Sequence, residues 1–65
     1  MNKPLIAITT REREVLLLLA KGITYSEIAL HLGVTSETVK KHLKNIYRKL
    51  QVSNKIAALT MLKFI

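Results

Sequence analysis

The chain has 65 residues, 49% of them hydrophobic and 5% aromatic, with no cysteine, two glycines and a net charge of +7. That length admits one domain burying only about 60% of the surface its unfolded form would expose, and the aliphatic content argues against disorder. Lack of cysteine excludes a disulfide framework and a thiolate metal site; the longest apolar run, Val15 to Ala20, is far below the roughly 20 residues that cross a bilayer, so a cytoplasmic domain with no membrane partner is expected.

Residues 1–8 are expected to form an extended arm ahead of one domain over 9–65. Thr9 with Glu12 three residues on is a capping-box pair, in which hydroxyl and carboxylate each satisfy a backbone N–H. It opens a helix expected over 10–21, which Gly22 ends because glycine takes positive φ at least cost. Thr24 with Glu27 opens a second helix over 25–32 in the same way, and Gly33 closes it. Thr35 opens a third over 36–50, with Thr38 in place of an acid three residues on. Ile23 with Ile28, and Val34 with Val39, are spaced to staple the second and third starts. Ser53 is expected to cap a fourth helix over 54–64. All four Glu read as surface residues. The fold class is all-α, a four-helix bundle containing a helix-turn-helix.

The spacing Ile28, Ala29, Leu32, Gly33, Val34, Val39 carries the helix-turn-helix expectation. Ala29 lets two short helices approach, Gly33 makes the turn, and the four aliphatic side chains fill the wedge between them. The third helix is thereby propped outward. At 100° per residue, Val39, Leu43, Ile46, Tyr47 and Leu50 share its inner side. Glu37, Lys41, Lys44, Asn45 and Arg48 gather opposite, with Lys40 and Lys49 on the flanks.

Charge follows the same division. Residues 1–37 balance four basic groups against four acids, whereas residues 38–65 hold seven basic groups and no acid. Five of the seven, Lys40, Lys41, Lys44, Arg48 and Lys49, lie on the third helix. A dense positive field on one element suits a polyanion. Fifteen helical residues measure about 22 Å, and the DNA major groove is wide enough to admit a helix.

Lys40, Lys41 and Lys44 are expected to include the base readers, since lysine donates to guanine O6 and N7; Asn45, which can pair with adenine, is a fourth candidate. Arg48 and Lys49, nearer the C-terminus, fit phosphate better. Helix starts also favour anions, which nominates Thr24, Tyr25 and Ser26 on the second helix and Thr35, Ser36 and Thr38 on the third. Glu37 can accept from a cytosine N4 or favour the helix dipole, and the dipole role is the expectation.

The fourth helix is apolar on nearly all sides. Ala58, Leu59, Leu62 and Ile65 make one face, while Ile56, Ala57, Met61 and Phe64 spread over the rest. The second face predicts a homodimer contact through Ile56, Ala57, Thr60, Met61 and Phe64. His31 and His42 fall on different helices and no Asp or Cys is present, which is thin metal ligation; a packed, hydrogen-bonded His42 is expected instead. No nucleophile triad, P-loop or Rossmann loop can be assembled. Neither an enzyme nor a cofactor is expected.

The stretches Ile8 to Leu16, Lys21-Gly22-Ile23-Thr24-Tyr25-Ser26-Glu27-Ile28-Ala29, Ser36-Glu37-Thr38-Val39-Lys40-Lys41-His42-Leu43 and Ile46-Tyr47-Arg48-Lys49-Leu50 together resemble the LuxR-type helix-turn-helix DNA-binding domain of bacterial response regulators and quorum-sensing regulators. The similarity covers nearly all of residues 8–62. It implies sequence-specific binding of double-stranded DNA in transcriptional regulation, as a dimer, with the third helix in the major groove, the fourth at the dimer contact and RNA polymerase as a candidate further partner. It also implies that Lys40, Lys41 and Lys44 reach bases and that Thr35, Thr38, Arg48 and Lys49 touch the backbone. Gln51 stands where the family usually has Gly, and Ile8 where it has Leu. Family members generally carry a receiver or ligand-binding domain ahead of this one, so either a stand-alone protein or an output domain is expected. A sigma-factor-like promoter-reading domain is the alternative within DNA binding; a basic protein-interaction or membrane-surface module is the alternative outside it.

Overall fold

The computed structural model describes residues 8–64, and of Phe64 the backbone alone. Apart from Ile8, the expected N-terminal arm lies outside the described residues, as does Ile65. The described residues form α1 (Thr10–Ala20), α2 (Tyr25–Leu32), α3 (Ser36–Leu50) and α4 (Lys55–Thr60), with a 3-10 turn over Met61–Phe64 and no strand.

Each start is made by a side chain that relieves unpaired N–H groups of a first turn. Thr9 accepts from the Glu12 N–H while Glu12 accepts from the Thr9 N–H, both at 3.0 Å. Thr24 and Glu27 repeat the exchange at 3.1 and 2.9 Å. On α3 the Thr35 hydroxyl accepts from the Thr38 N–H at 3.2 Å, and no acid returns the bond. The cap of α4 is Asn54, whose Oδ1 accepts from the Ala57 N–H at 2.8 Å. The expectation of Ser53 was one residue early: Asn caps as well as Ser, and Asn54 is the residue left extended where the chain turns into the helix.

The two tight turns share one device. Gly33 at φ 70 ends α2, and the following Val34 N–H donates back to Ala29 O at 3.0 Å. Gln51 at φ 58 ends α3, and the following Val52 N–H donates back to Tyr47 O at 2.9 Å. Both are Schellman-type ends, and Val34 and Val52 both pack against the core. Gln51 thus holds the left-handed conformation without being glycine, which costs an L-residue on the order of 1 kcal/mol.

The core is Val15, Leu16 and Leu19 of α1, Ile28 and Ala29 of α2, Val39, Leu43, Ile46 and Leu50 of α3, and Ala58 of α4, all buried. Ile23, Leu32, Val34, Tyr47, Leu59, Met61 and Leu62 pack around it. Helix α3 touches each of the other three helices, so its orientation is set from three sides.

Two further expectations are corrected. The fourth helix is shorter than 54–64: it is α-helical only to Thr60 and then tightens into the 3-10 turn. Glu12 is not a surface residue; it is 5% exposed. Its carboxylate receives the Lys49 ammonium at 2.8 Å across 37 positions of sequence, tying the start of α1 to the end of α3. Burial raises the Glu12 pKa, but the Lys49 and Thr9 hydrogen bonds and the Lys49 charge outweigh it and hold the carboxyl below its ordinary value.

Candidate nucleic-acid interface

The outward face of α3 follows from its amphipathic spacing. With Val39, Leu43, Ile46 and Leu50 buried, geometry turns the intervening positions to solvent. Glu37, Lys40, Lys41, Lys44 and Arg48 are exposed and Asn45 is half-buried. These six line one shallow groove along the helix. The expected base readers Lys40, Lys41, Lys44 and Asn45 are therefore together, with Arg48 at the far end. Arg48 Nη2 donates to Asn45 Oδ1 at 3.1 Å, so this amide oxygen orients a guanidinium. Glu37 lies 3.8 Å from the Lys40 ammonium.

Lys49 is placed differently from its neighbours. It is half-buried, and its ammonium is held by Glu12. An ammonium shared with a buried carboxylate is anchored toward α1, while Arg48 stays exposed on the groove. The spacing of Glu12, Val15, Leu16 and Leu19 is i, i+3, i+4, i+7, one side of a helix; that periodicity is the signal that would have placed Glu12 on the buried side.

Beside α3, the first turns of α2 and α3 meet, with the Ser26 and Ser36 hydroxyls 3.4 Å apart. Exposed Thr24, Tyr25 and Ser26 thus adjoin Thr35, Ser36 and Thr38 at two helix starts. The Thr24 hydroxyl both accepts from the Glu27 N–H and donates to the Glu27 carboxylate at 3.2 Å, so its proton is committed to the cap. The Thr35 and Thr38 hydroxyls share a hydrogen bond of 3.1 Å. Burial pushes the Tyr47 phenol above its ordinary pKa, and nearby Tyr25 adds to the shift; Tyr47 is a neutral O–H at neutral pH.

The expected dimer contacts lie on α4 and the turn after it. Ile56 is 70% exposed and Thr60 is exposed, its hydroxyl donating to Ile56 O at 2.9 Å. Ala57 and Met61 are half-buried, Met61 against the core. The Phe64 side chain lies outside the described residues. His31 is exposed, and His42 is half-buried without the hydrogen bond expected of it among the described residues. Among those residues no three His, Cys, Asp or Glu side chains gather, and no helix is long and apolar enough to cross a membrane.

Helices α1, α2 and α4 pack on α3 around a small aliphatic core and leave its basic side outward, the arrangement of a helix-turn-helix domain. Residues 7–62 match the family described as bacterial regulatory proteins, luxR family, and the chain belongs to that family. It is accordingly a DNA-binding domain of transcriptional regulation and not an enzyme. The chain is 50% identical over 60 residues to the protein named "Probable transcriptional regulatory protein SgaR" from Hyphomicrobium methylovorum, covering 92% of this chain and 28% of that one. It is 42% identical over 55 residues to the nitrate/nitrite response regulator protein NarP of Escherichia coli, covering 85% and 26%. The crystal structure of the response regulator ChrA of a heme-sensing two-component system is similar with a TM-score of 0.83 at 40% identity, covering 95% of this chain and 31% of that chain. The chain thus spans about a quarter to a third of the length of these relatives.

Proposed function

We propose that this chain binds specific double-stranded DNA sites in the cytoplasm as a homodimer, with α3 lying in the major groove and α4 at the two-fold contact. The observation that carries the reading is the groove-facing row on α3, where Lys40, Lys41, Lys44 and Arg48 are exposed together on a helix whose opposite side is packed on three others. Rigid support matters because a base contact discriminates only if the donor is held in register. Lys40, Lys41 and Lys44 sit in the first two-thirds of α3, where a recognition helix meets base edges, and lysine donates to guanine O6 and N7. Asn45 lies among them, and its bond to Arg48 suits it to aim that guanidinium at a phosphate.

The hydroxyls of Ser26, Thr35, Ser36 and Thr38, with Thr24 and Tyr25 beside them, fit the backbone, since helix starts offer N–H groups and a favourable dipole to phosphate. Exposed Ile56 next to Ala57, Thr60 and Met61 fits an isologous contact between two copies. Membership of the luxR family supports this reading over a sigma-factor-like one.

The test is duplex selection from a random pool, followed by titration of variants on the winner and on random DNA. Lys44→Ala is expected to weaken the winner by about 1–3 kcal/mol and to relax preference at one base, whereas Arg48→Ala weakens all duplexes alike and lowers the salt slope by about one. Equal losses on both duplexes for both variants would remove the readout assignment.

A further inference from the structure

The four acids of this chain do not share one role. Glu12 caps α1 and holds Lys49. Glu27 caps α2, and Glu14 pairs with Arg11 at 3.6 Å on α1. Glu37 does none of these. The α3 cap is made by Thr35 with Thr38, so the carboxylate of Glu37 answers no backbone N–H. Its side chain is 86% exposed, and its partner is Lys40 at a loose 3.8 Å.

Position makes this costly for a polyanion binder. Glu37 lines the same groove as Lys40, Lys41, Lys44, Asn45 and Arg48, the surface that phosphate and base edges would approach. A carboxylate there repels phosphate and weakens binding to every duplex. What it gains is selectivity, because an ionised carboxylate only accepts hydrogen bonds. In the major groove it is satisfied by an amino group and repelled by the oxygen and nitrogen acceptors of guanine or the O4 of thymine. Adenine sets its N7 acceptor beside its amino group; cytosine presents the N4 amino group without that neighbour.

We propose that Glu37 is a specificity-determining residue of the α3 surface, selecting cytosine on the strand it faces and rejecting guanine and thymine there. This rests on the DNA-binding reading above. Glu37 precedes Lys44 by seven residues, about 10 Å of helix rise. The two side chains are therefore too far apart to read the same base pair.

The experiment is selection of duplexes from a random pool by the intact 65-residue chain and by its Glu37→Ala, Glu37→Gln and Glu37→Asp variants, with thermal melts of each. The unaltered chain is expected to enrich cytosine at one position, distinct from the one whose preference Lys44→Ala loses. Glu37→Ala levels that position, with at least about a fivefold loss of discrimination. Glu37→Gln moves the preference toward adenine, whose N6 and N7 a side-chain amide matches, and Glu37→Asp retains part of the cytosine preference. Both neutral variants bind random DNA about twofold more tightly, as loss of one repelling charge at aqueous dielectric requires. Unchanged base preference in all three variants overturns the proposal, and a lowered melting temperature with that unchanged preference assigns Glu37 to the helix dipole. An unaltered chain that enriches no duplex overturns the DNA reading itself, a result distinct from the first.

Discussion

Replacing Lys49 by Met should unsettle the domain through Glu12. The Lys49 ammonium is 2.8 Å from Glu12 Oε1, with the lysine side chain 28% exposed and that of Glu12 7%. Exposed pairs contribute about 0–1 kcal/mol, and breaking a fully buried pair costs about 3–5 kcal/mol because a charge is stranded. Here the carboxylate is buried, the ammonium reaches the rim, and the Thr9 N–H still donates to Oε1. An intermediate loss of about 2–3 kcal/mol follows. A domain of this size has only about 3–10 kcal/mol in all, and each kcal/mol moves its melting temperature by about 4–8 °C, so the drop should be roughly 10–20 °C at pH 7.

The pH dependence has a defined sign. Because the folded Glu12 pKa lies below its ordinary value of 4.5, its contribution is complete above that value and is lost as pH falls through the lowered one. Without Lys49 the burial effect meets weaker opposition, the Glu12 pKa rises, and acidification from neutral pH protonates the stranded carboxyl and relieves it. The gap between the two proteins should therefore narrow as pH falls toward the carboxylate range. Melts followed by circular dichroism at several pH values measure it. A drop of under about 2 °C, or a gap independent of pH, would refute the reasoning.

Gln51→Gly should stabilise the domain by about 0.5–1 kcal/mol, since a left-handed residue with φ 58 is relieved of its Cβ penalty; a lower melting temperature would show that the Gln51 side chain contributes something the backbone argument omits. Ile56→Glu, at a position 70% exposed, should leave the melting temperature nearly unchanged while weakening occupancy of a two-half-site duplex by about tenfold, the effect of losing about 1.4 kcal/mol. Gel-shift titration of one-site and two-site duplexes reads this, and equal affinity per half-site before and after the change would place the dimer contact elsewhere.

Local chemistry determined most of the secondary structure in advance. Thr9 with Glu12 and Thr24 with Glu27 act within one turn, so their capping boxes are legible in the order of residues alone, and the starts at Thr10, Tyr25 and Ser36 agree with those expected. The buried stripe Val39, Leu43, Ile46 and Leu50 is likewise a matter of helical period, and its complement is the basic row that forms the candidate interface. Tertiary structure decided what depends on partners far apart in the chain. Glu12 fulfils its cap and is also buried, because α3 crosses α1 and brings Lys49 to it from 37 residues away. Gln51 takes a glycine-like conformation because Val52 must donate to Tyr47 O and pack inward for the chain to re-enter the core. The choice of Asn54 over Ser53 as cap follows from where that turn releases the chain. Hydrogen bonds between near neighbours are written in sequence spacing, while burial of a charge or strain in a turn is settled only when the whole core closes around it.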